Sequence, residues 1–162
     1  MPDVSSFSEL AQEFDAVARK VIWPTMTTVD RQGRPRARIV HPVWDGPTGW
    51  LLTGRSSLKA KHLAQLPYVS ISYVDAEGVS PTANQAYAEC RAEWIDDAAE
   101  KTRIRDLFKS LPEPYGYDPA LFFPAGPEDP EFGVLKLTPW RVEVFSLATQ
   151  MQGQAKVWRQ DV

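Results

Sequence analysis

Between positions 85 and 95 the chain alternates strictly. Ala86, Ala88, Cys90, Ala92 and Trp94 fall on one face, and Gln85, Tyr87, Glu89, Arg91 and Glu93 on the other. A period of two held over eleven residues belongs to a β-strand with one face on a core and one polar face. Shorter strands are expected at 25–29 and 35–44, joined by the turn Asp30-Arg31-Gln32-Gly33, in which Gly33 suits a positive φ. Others follow at 50–53, 68–74, 132–137, 141–145 and 154–159. Helices are expected at 6–19, with Ser6 and Glu9 spaced as a capping box, at 57–66 behind Ser56 or Ser57, and at 97–111 behind Asp96-Asp97. Residues 75–84 read as a loop. Residues 111–131 hold six prolines and read as a long loop of the kind that is usually functional or interfacial. Short strands, tight turns and segregated helices indicate a mainly β, α+β fold: an antiparallel barrel with peripheral helices, as a single domain over 1–162.

Composition removes several function classes. Lysine and arginine number 18 against 21 acidic residues, for a formal charge of -3, whereas nucleic-acid binders are normally strongly basic. One cysteine excludes an internal disulfide, and two histidines beside it make a zinc site improbable. The first eighteen residues carry Asp3, Glu9, Glu13 and Asp15, which is not a secretory leader, and no apolar run reaches the roughly 18 residues of a membrane span. A cytoplasmic protein is expected, with no nucleic-acid or membrane partner. There is no glycine-rich dinucleotide fingerprint and no Gly-Lys-Ser/Thr loop.

The strongest chemical signal is basic. Arg34-Pro35-Arg36-Ala37-Arg38 is followed by Thr53-Gly54-Arg55-Ser56-Ser57-Leu58-Lys59-Ala60-Lys61. Arg36 and Arg38 share one strand face, about 6.6 Å apart along it. Beside them, the end of a strand at Thr53 and a helix beginning at Ser57 would bring hydroxyls, free N–H groups and Lys59 together. That donor set suits a phosphate monoester; the plainer alternative is a solvated strand face beside an ordinary capped helix. His41 reads as a hydrogen-bonded core residue on the face of Ala37, Ile39 and Val43, and His62 as a surface residue among lysines. Asp96-Asp97 reads as a helix cap. The polar face of strand 85–95 reads as solvent-facing, the alternative being that its start reaches a ligand or a second subunit.

In this order the motifs resemble the pyridoxamine 5′-phosphate oxidase-like family of flavin-binding split barrels. The landmarks are Gly33-x-Pro35-x-x-Arg38, the turn from Trp50 through Thr53-Gly-Arg-Ser-Ser57-x-Lys59-Ala60, Leu66-Pro67-Tyr68-Val69-Ser70, Gln85 leading into Glu89-Cys90-Arg91-Ala92-Glu93, and Leu137-Thr138-Pro139-x-Arg141-x-Glu143-x-Phe145. The resemblance implies a six-stranded, Greek-key-like antiparallel split barrel and a homodimer with two FMN sites at its interface. It implies that Arg38, aided by Arg36, holds the FMN phosphate, with Ile39 and Val40 beside the ring. Leu52 and Thr53 would contact the flavin, and Ser56, Ser57 and Lys59 would complete the phosphate clamp. Gln85 would reach the flavin from the partner subunit, and Phe145 stands where the family often has a tryptophan near the cofactor. The family's Arg-x-His substrate motif is missing from residues 146–154, and Leu58 stands where the clamp often has arginine. The resemblance therefore implies a flavin-dependent oxidoreductase for an unidentified small molecule. Its alternatives are a reductase using the 8-hydroxy-5-deazaflavin coenzyme and a non-catalytic flavin- or heme-binding module. A substrate pocket is expected from Trp44, Tyr115, Tyr117, Phe122, Phe123, Phe145 and Trp158.

Overall fold

The long alternating strand lies at the centre of the sheet. The computed structural model describes residues 3–76 and 80–160. Its strands are β1 (Asp3–Val4), β2 (Thr25–Val29), β3 (Pro35–Ile39), β4 (Val43–Asp45), β5 (Thr48–Gly54), β6 (Tyr68–Asp75), β7 (Asn84–Ile95), β8 (Phe132–Phe145) and β9 (Lys156–Arg159). Its helices are α1 (Ala11–Lys20), α2 (Leu58–Leu63), α3 (Ala98–Ser110) and α4 (Leu147–Met151). The fold is mixed α+β, mostly strands. The sheet runs β1-β9-β8-β7-β6-β2-β3, and β5 branches from β8 and carries β4. Every pairing is antiparallel except the short β1 with β9. These ladders form an open path with a branch and do not close a ring, so the expected barrel closure is not among them.

The alternation does what its pattern requires. Ala86, Ala88 and Cys90 are fully buried, as is Val142 across from Ala88 on β8. They share one core with Leu10, Phe14 and Val17 of the N-terminal region and with Met26, Ile71, Tyr73 and Trp44. Phe14 meets Trp44 edge-on at 4.8 Å and Tyr73 at 5.9 Å, so large rings fill what the small β7 side chains leave open. A second core packs Ile104 and Phe108 of α3 against Val43, Trp50, Leu52 and Val134. Strand β5 contributes to both: Leu51 to the first core, Trp50 and Leu52 to the second.

Several expected elements change. The helix expected at 6–19 begins as a 3-10 turn (Phe7–Glu9) closed by the Ser6–Glu9 capping box, and α1 follows. The strand expected at 35–44 is two strands, because Val40 donates its N–H to Pro24 and Pro42 has none to give. The strands expected at 132–137 and 141–145 are one. Glu89 pairs Arg141 while Cys90 pairs Pro139, so Trp140 is the extra residue of a bulge that lets the strand continue past the proline. Segment 154–159 is strand only from Lys156, and the short α4 before it was not expected. The long loop 111–131 contains 3-10 turns at Pro119–Leu121 and Gly126–Glu128. Of the loop at 75–84, positions 77–79 lie outside the described residues.

Candidate functional site

The hairpin β2–β3 and helix α2 build the site. Asp30 ties the hairpin turn by accepting from the backbone of Gln32 and Arg34 and from the Arg34 guanidinium at 2.9 Å. Burial alone would raise this carboxyl, but those hydrogen bonds outweigh it and hold it below the usual range. Gly33 takes φ 75°, as the turn requires. The register sets Thr28 opposite Arg36 and Met26 opposite Arg38, so both arginines lie on the core-side face that carries buried Met26 and Thr28. Strand β5 ends at Thr53 and Gly54. Ser57 then caps α2 by accepting from the N–H of Ala60, placing Lys59 in its first turn.

Two cations meet here. Arg38 donates from Nη1 to Thr28 Oγ1 at 2.7 Å, and Lys59 donates from Nζ to Thr53 Oγ1 at 2.6 Å. Burial, then the Arg38 charge, push the Lys59 ammonium below its ordinary value. Burial, then Arg36, do the same to Arg38. Among the described residues none of Arg36, Arg38 and Lys59 forms an ion pair, although most other basic side chains do. Half-buried Arg38 and Lys59, with exposed Arg36 beside them, repel one another and lack a carboxylate, which makes a site for an anion. Beside it, a groove of about 370 Å³ is lined by Arg31, Arg34, Arg36 and Lys61, with Asp30 and His62.

The remaining sequence-expected residues divide. Arg36, Arg38, Thr53, Ser57 and Lys59 come together. Ser56 turns away, its N–H and hydroxyl both donating to Glu131 at 3.0 and 2.8 Å. Arg55 lies over Trp94 and pairs with Asp96, so it is not a free cation. Ile39 is 60% exposed rather than on an apolar inner face, whereas the side chains of Val40 and Leu52 lie in the cores. Gln85 and Phe145 pair with each other across β7 and β8. Tyr87 stacks on Phe145 at 5.7 Å and donates its hydroxyl to Gln85. Following the register from Arg38 through Met26 and Ile71 to Ala88, Gln85 sits three strands away and on the opposite face.

Two expected pocket residues are core instead, and a third, Trp158, is half-buried against the core's edge. Trp44 is buried and bonds Tyr73 through Nε1, Tyr115 is buried beneath Arg19, and Trp158 packs on Phe7. His41 is a core residue as read from the sequence, its Nε2 donating to the Tyr115 carbonyl at 2.9 Å. Its ring lies between exposed Trp23 at 4.8 Å and Tyr117 at 4.9 Å, with Phe122 beyond. Sequence spacing gave no sign of Trp23. The expected surface position of His62 is wrong: it is 6% exposed and bonded to Thr28. Asp97 caps α3, while Asp96 does not cap and is paired with Arg55.

The model of the family Pyridoxamine 5′-phosphate oxidase matches residues 10–146, most of the chain and the whole of this cradle. The chain belongs to the pyridoxamine 5′-phosphate oxidase family. Solved structures agree on the fold of the family. General stress protein 26 of Bacillus anthracis str. Sterne shares 16% identity over 94% of this chain and 99% of its own, with a TM-score of 0.64. A protein related to general stress protein 26, of the pyridoxinephosphate oxidase family, from Clostridium acetobutylicum shares 16% identity over 87% and 91%, with a TM-score of 0.66. The heme storage protein HutZ of Vibrio cholerae shares 18% identity over 85% and 94%, with a TM-score of 0.61. No curated protein matches the chain. Among the described residues no helix is long and apolar enough to cross a membrane.

Proposed function

We propose that this chain binds FMN and acts as a flavin-dependent oxidoreductase on a small molecule, as a homodimer with two cofactor sites shared across its interface. The observation that carries the reading is the unpaired cluster of Arg36, Arg38 and Lys59. Their charge, the threonine hydroxyls beside them and the Ser57 helix start form a donor set that fits a phosphate dianion. Family membership makes FMN the group that brings that phosphate. When bound, FMN supplies the hydride or electron transfer. The chain holds the phosphate with Arg38 and Lys59, and exposed Ile39 offers apolar surface beside the cradle. Trp23, His41, Tyr117 and Phe122 form an aromatic wall suited to a planar or apolar substrate.

The placement of Gln85 and Phe145 supports the dimer reading. Gln85 lies three strands and Phe145 four strands from Arg38, both on the opposite face, which favours their reaching the ligand from a second copy. A second copy facing the outer side of the sheet, where Ile39, Tyr68 and Val74 are exposed, supplies them and closes a split-barrel dimer.

A second reading has the basic groove in its favour. Arg31, Arg36 and Lys61 would accommodate an anionic tail longer than FMN carries, as the 8-hydroxy-5-deazaflavin coenzyme has. Heme, which HutZ stores, fits less well. Both histidines are committed to internal hydrogen bonds, and burial drives the Cys90 thiol far up, so neither type offers a ready axial ligand. The test is titration of the purified protein with FMN, the deazaflavin and heme, followed by absorbance, with mass measured by light scattering. One FMN per subunit on a dimer supports the reading. Binding of the deazaflavin alone moves the protein to the second reading, and a monomer that binds FMN tightly overturns the shared site.

A further inference from the structure

Both cradle cations are held by hydroxyls rather than by carboxylates. A carboxylate would orient Arg38 but also neutralise it and compete with the incoming anion. A threonine hydroxyl orients the guanidinium and leaves its full charge for the ligand. The quality of that anchor depends on what fixes the hydroxyl rotor. For Thr28 the answer is His62.

Thr28 is fully buried on β2, and His62 is buried on the face of α2 that also presents Ala60 and Leu63 to the core. Thr28 Oγ1 lies 2.8 Å from His62 Nδ1 and 2.7 Å from Arg38 Nη1. The hydroxyl has one hydrogen and two lone pairs. Arg38 can only donate, so one lone pair is taken. If His62 carried its proton on Nδ1, Thr28 would accept twice, and its own hydrogen would lack a partner in a site with no exposure to water. The Thr28 hydrogen and the Arg38 N–H both find partners when Nδ1 is bare and the proton sits on Nε2, the nitrogen not bonded to Thr28. The chain then runs in one direction, from Arg38 N–H to Thr28 Oγ1 and from Thr28 O–H to His62 Nδ1. Each bond polarises the next, so the imidazole makes the Thr28 oxygen a stronger acceptor for Arg38.

We infer that His62 is a positioning residue for the phosphate arginine, acting through Thr28 to set the Arg38 guanidinium towards the ligand; the inference rests on the FMN reading above. Neither His62 nor Thr28 need touch the cofactor. Their effect is confined to the phosphate, and this separates positioning from mere packing.

The experiment compares dissociation constants for FMN and riboflavin, which lacks the phosphate, in the full chain and in Arg38→Ala, Thr28→Val, His62→Leu and His62→Asn. Thr28→Val and His62→Leu are expected to weaken FMN by about tenfold, the scale of one hydrogen bond to a charged group, and to leave riboflavin unchanged. His62→Asn, whose amide oxygen can stand near the place of Nδ1, is expected to recover FMN to within about twofold. In the Arg38→Ala background His62→Leu is expected to add nothing. Parallel loss of both ligands in His62→Leu overturns the inference in favour of packing, as does FMN affinity unchanged by His62→Leu while Arg38→Ala loses it. If Arg38→Ala itself leaves FMN affinity unchanged, the phosphate reading fails first and is identified as the cause. Should His62→Leu not fold, long-range nitrogen–proton NMR of the wild type decides. A bare Nδ1 supports the relay and a protonated Nδ1 overturns it.

Discussion

Replacing Lys59 with methionine keeps the stem of the side chain and removes its charge. In the free protein the ammonium is half-buried, faces Arg38 and, among the described residues, has the Thr53 hydroxyl as its hydrogen-bond partner. With a phosphate about 4 Å away, the gross attraction is about 4 kcal/mol at an effective dielectric of about 20. Removing water from both groups offsets part of it. A hydrogen bond to a charged partner leaves about 1.5–3 kcal/mol net. Lys59→Met should therefore weaken FMN about 12- to 160-fold, with riboflavin nearly unaffected. Stability should move the other way. Burial and Arg38 lower the Lys59 pKa in the folded state, so folding works against the charged form. That penalty is fully present below the lowered folded value and fades as pH rises through it towards the ordinary lysine range. The ligand-free variant should melt at the same temperature as the wild type or higher, while the rise in melting temperature on adding FMN shrinks. Fluorescence titration and thermal scans measure both. An FMN affinity within twofold of wild type, a matching loss of riboflavin, or a lower melting temperature without ligand would each refute the reasoning.

Three other perturbations test separate parts of the structure. Gly133 pairs with Thr53, and a Cβ there would press on the Thr53 carbonyl oxygen and lie 2.6 Å from Trp94 Cζ3. Gly133→Ala should cost about 1–3 kcal/mol, read as a melting temperature lower by several degrees; an unchanged melting curve would mean the strand pair yields freely. Coexpressed Arg38→Ala and Gln85→Ala chains should form a mixed dimer with one intact site of two, recovering about half the FMN stoichiometry that either mutant homodimer lacks. No recovery in an isolated mixed dimer would place the two residues in the same subunit's site. Burial lowers the His41 pKa, with the bond to the Tyr115 carbonyl acting against it. The unfolded chain then binds the proton more readily, so stability present at neutral pH is lost as pH falls below about 6.5. His41→Gln should flatten the fall in melting temperature between pH 7 and 5, and an unaltered slope would remove His41 as its source.

What the sequence determined by itself is what nearest neighbours along the chain decide. The alternation in β7, the positive φ at Gly33, the Ser6–Glu9 box and the caps at Ser57 and Asp97 are local devices, and they stand where the residues indicated. The facing of Arg36 and Arg38 from one strand, and of Lys59 from the first turn of a helix, was legible for the same reason. Tertiary structure alone decided how such pieces pack. His62 follows Lys59 and Lys61 in a helix too short for a periodicity, and only docking against Thr28, 34 residues earlier, buries it. Ser56 looked like part of the cradle until Glu131, 75 residues later, took both of its donors. Trp44 and Tyr115 carry polar groups that suit a pocket, but their hydrogen bonds are internal and their rings fill the core. The separation of Gln85 from Arg38 onto opposite faces emerges only from the register of four strands, each pairing set by burial across the whole sheet rather than by any stretch of it.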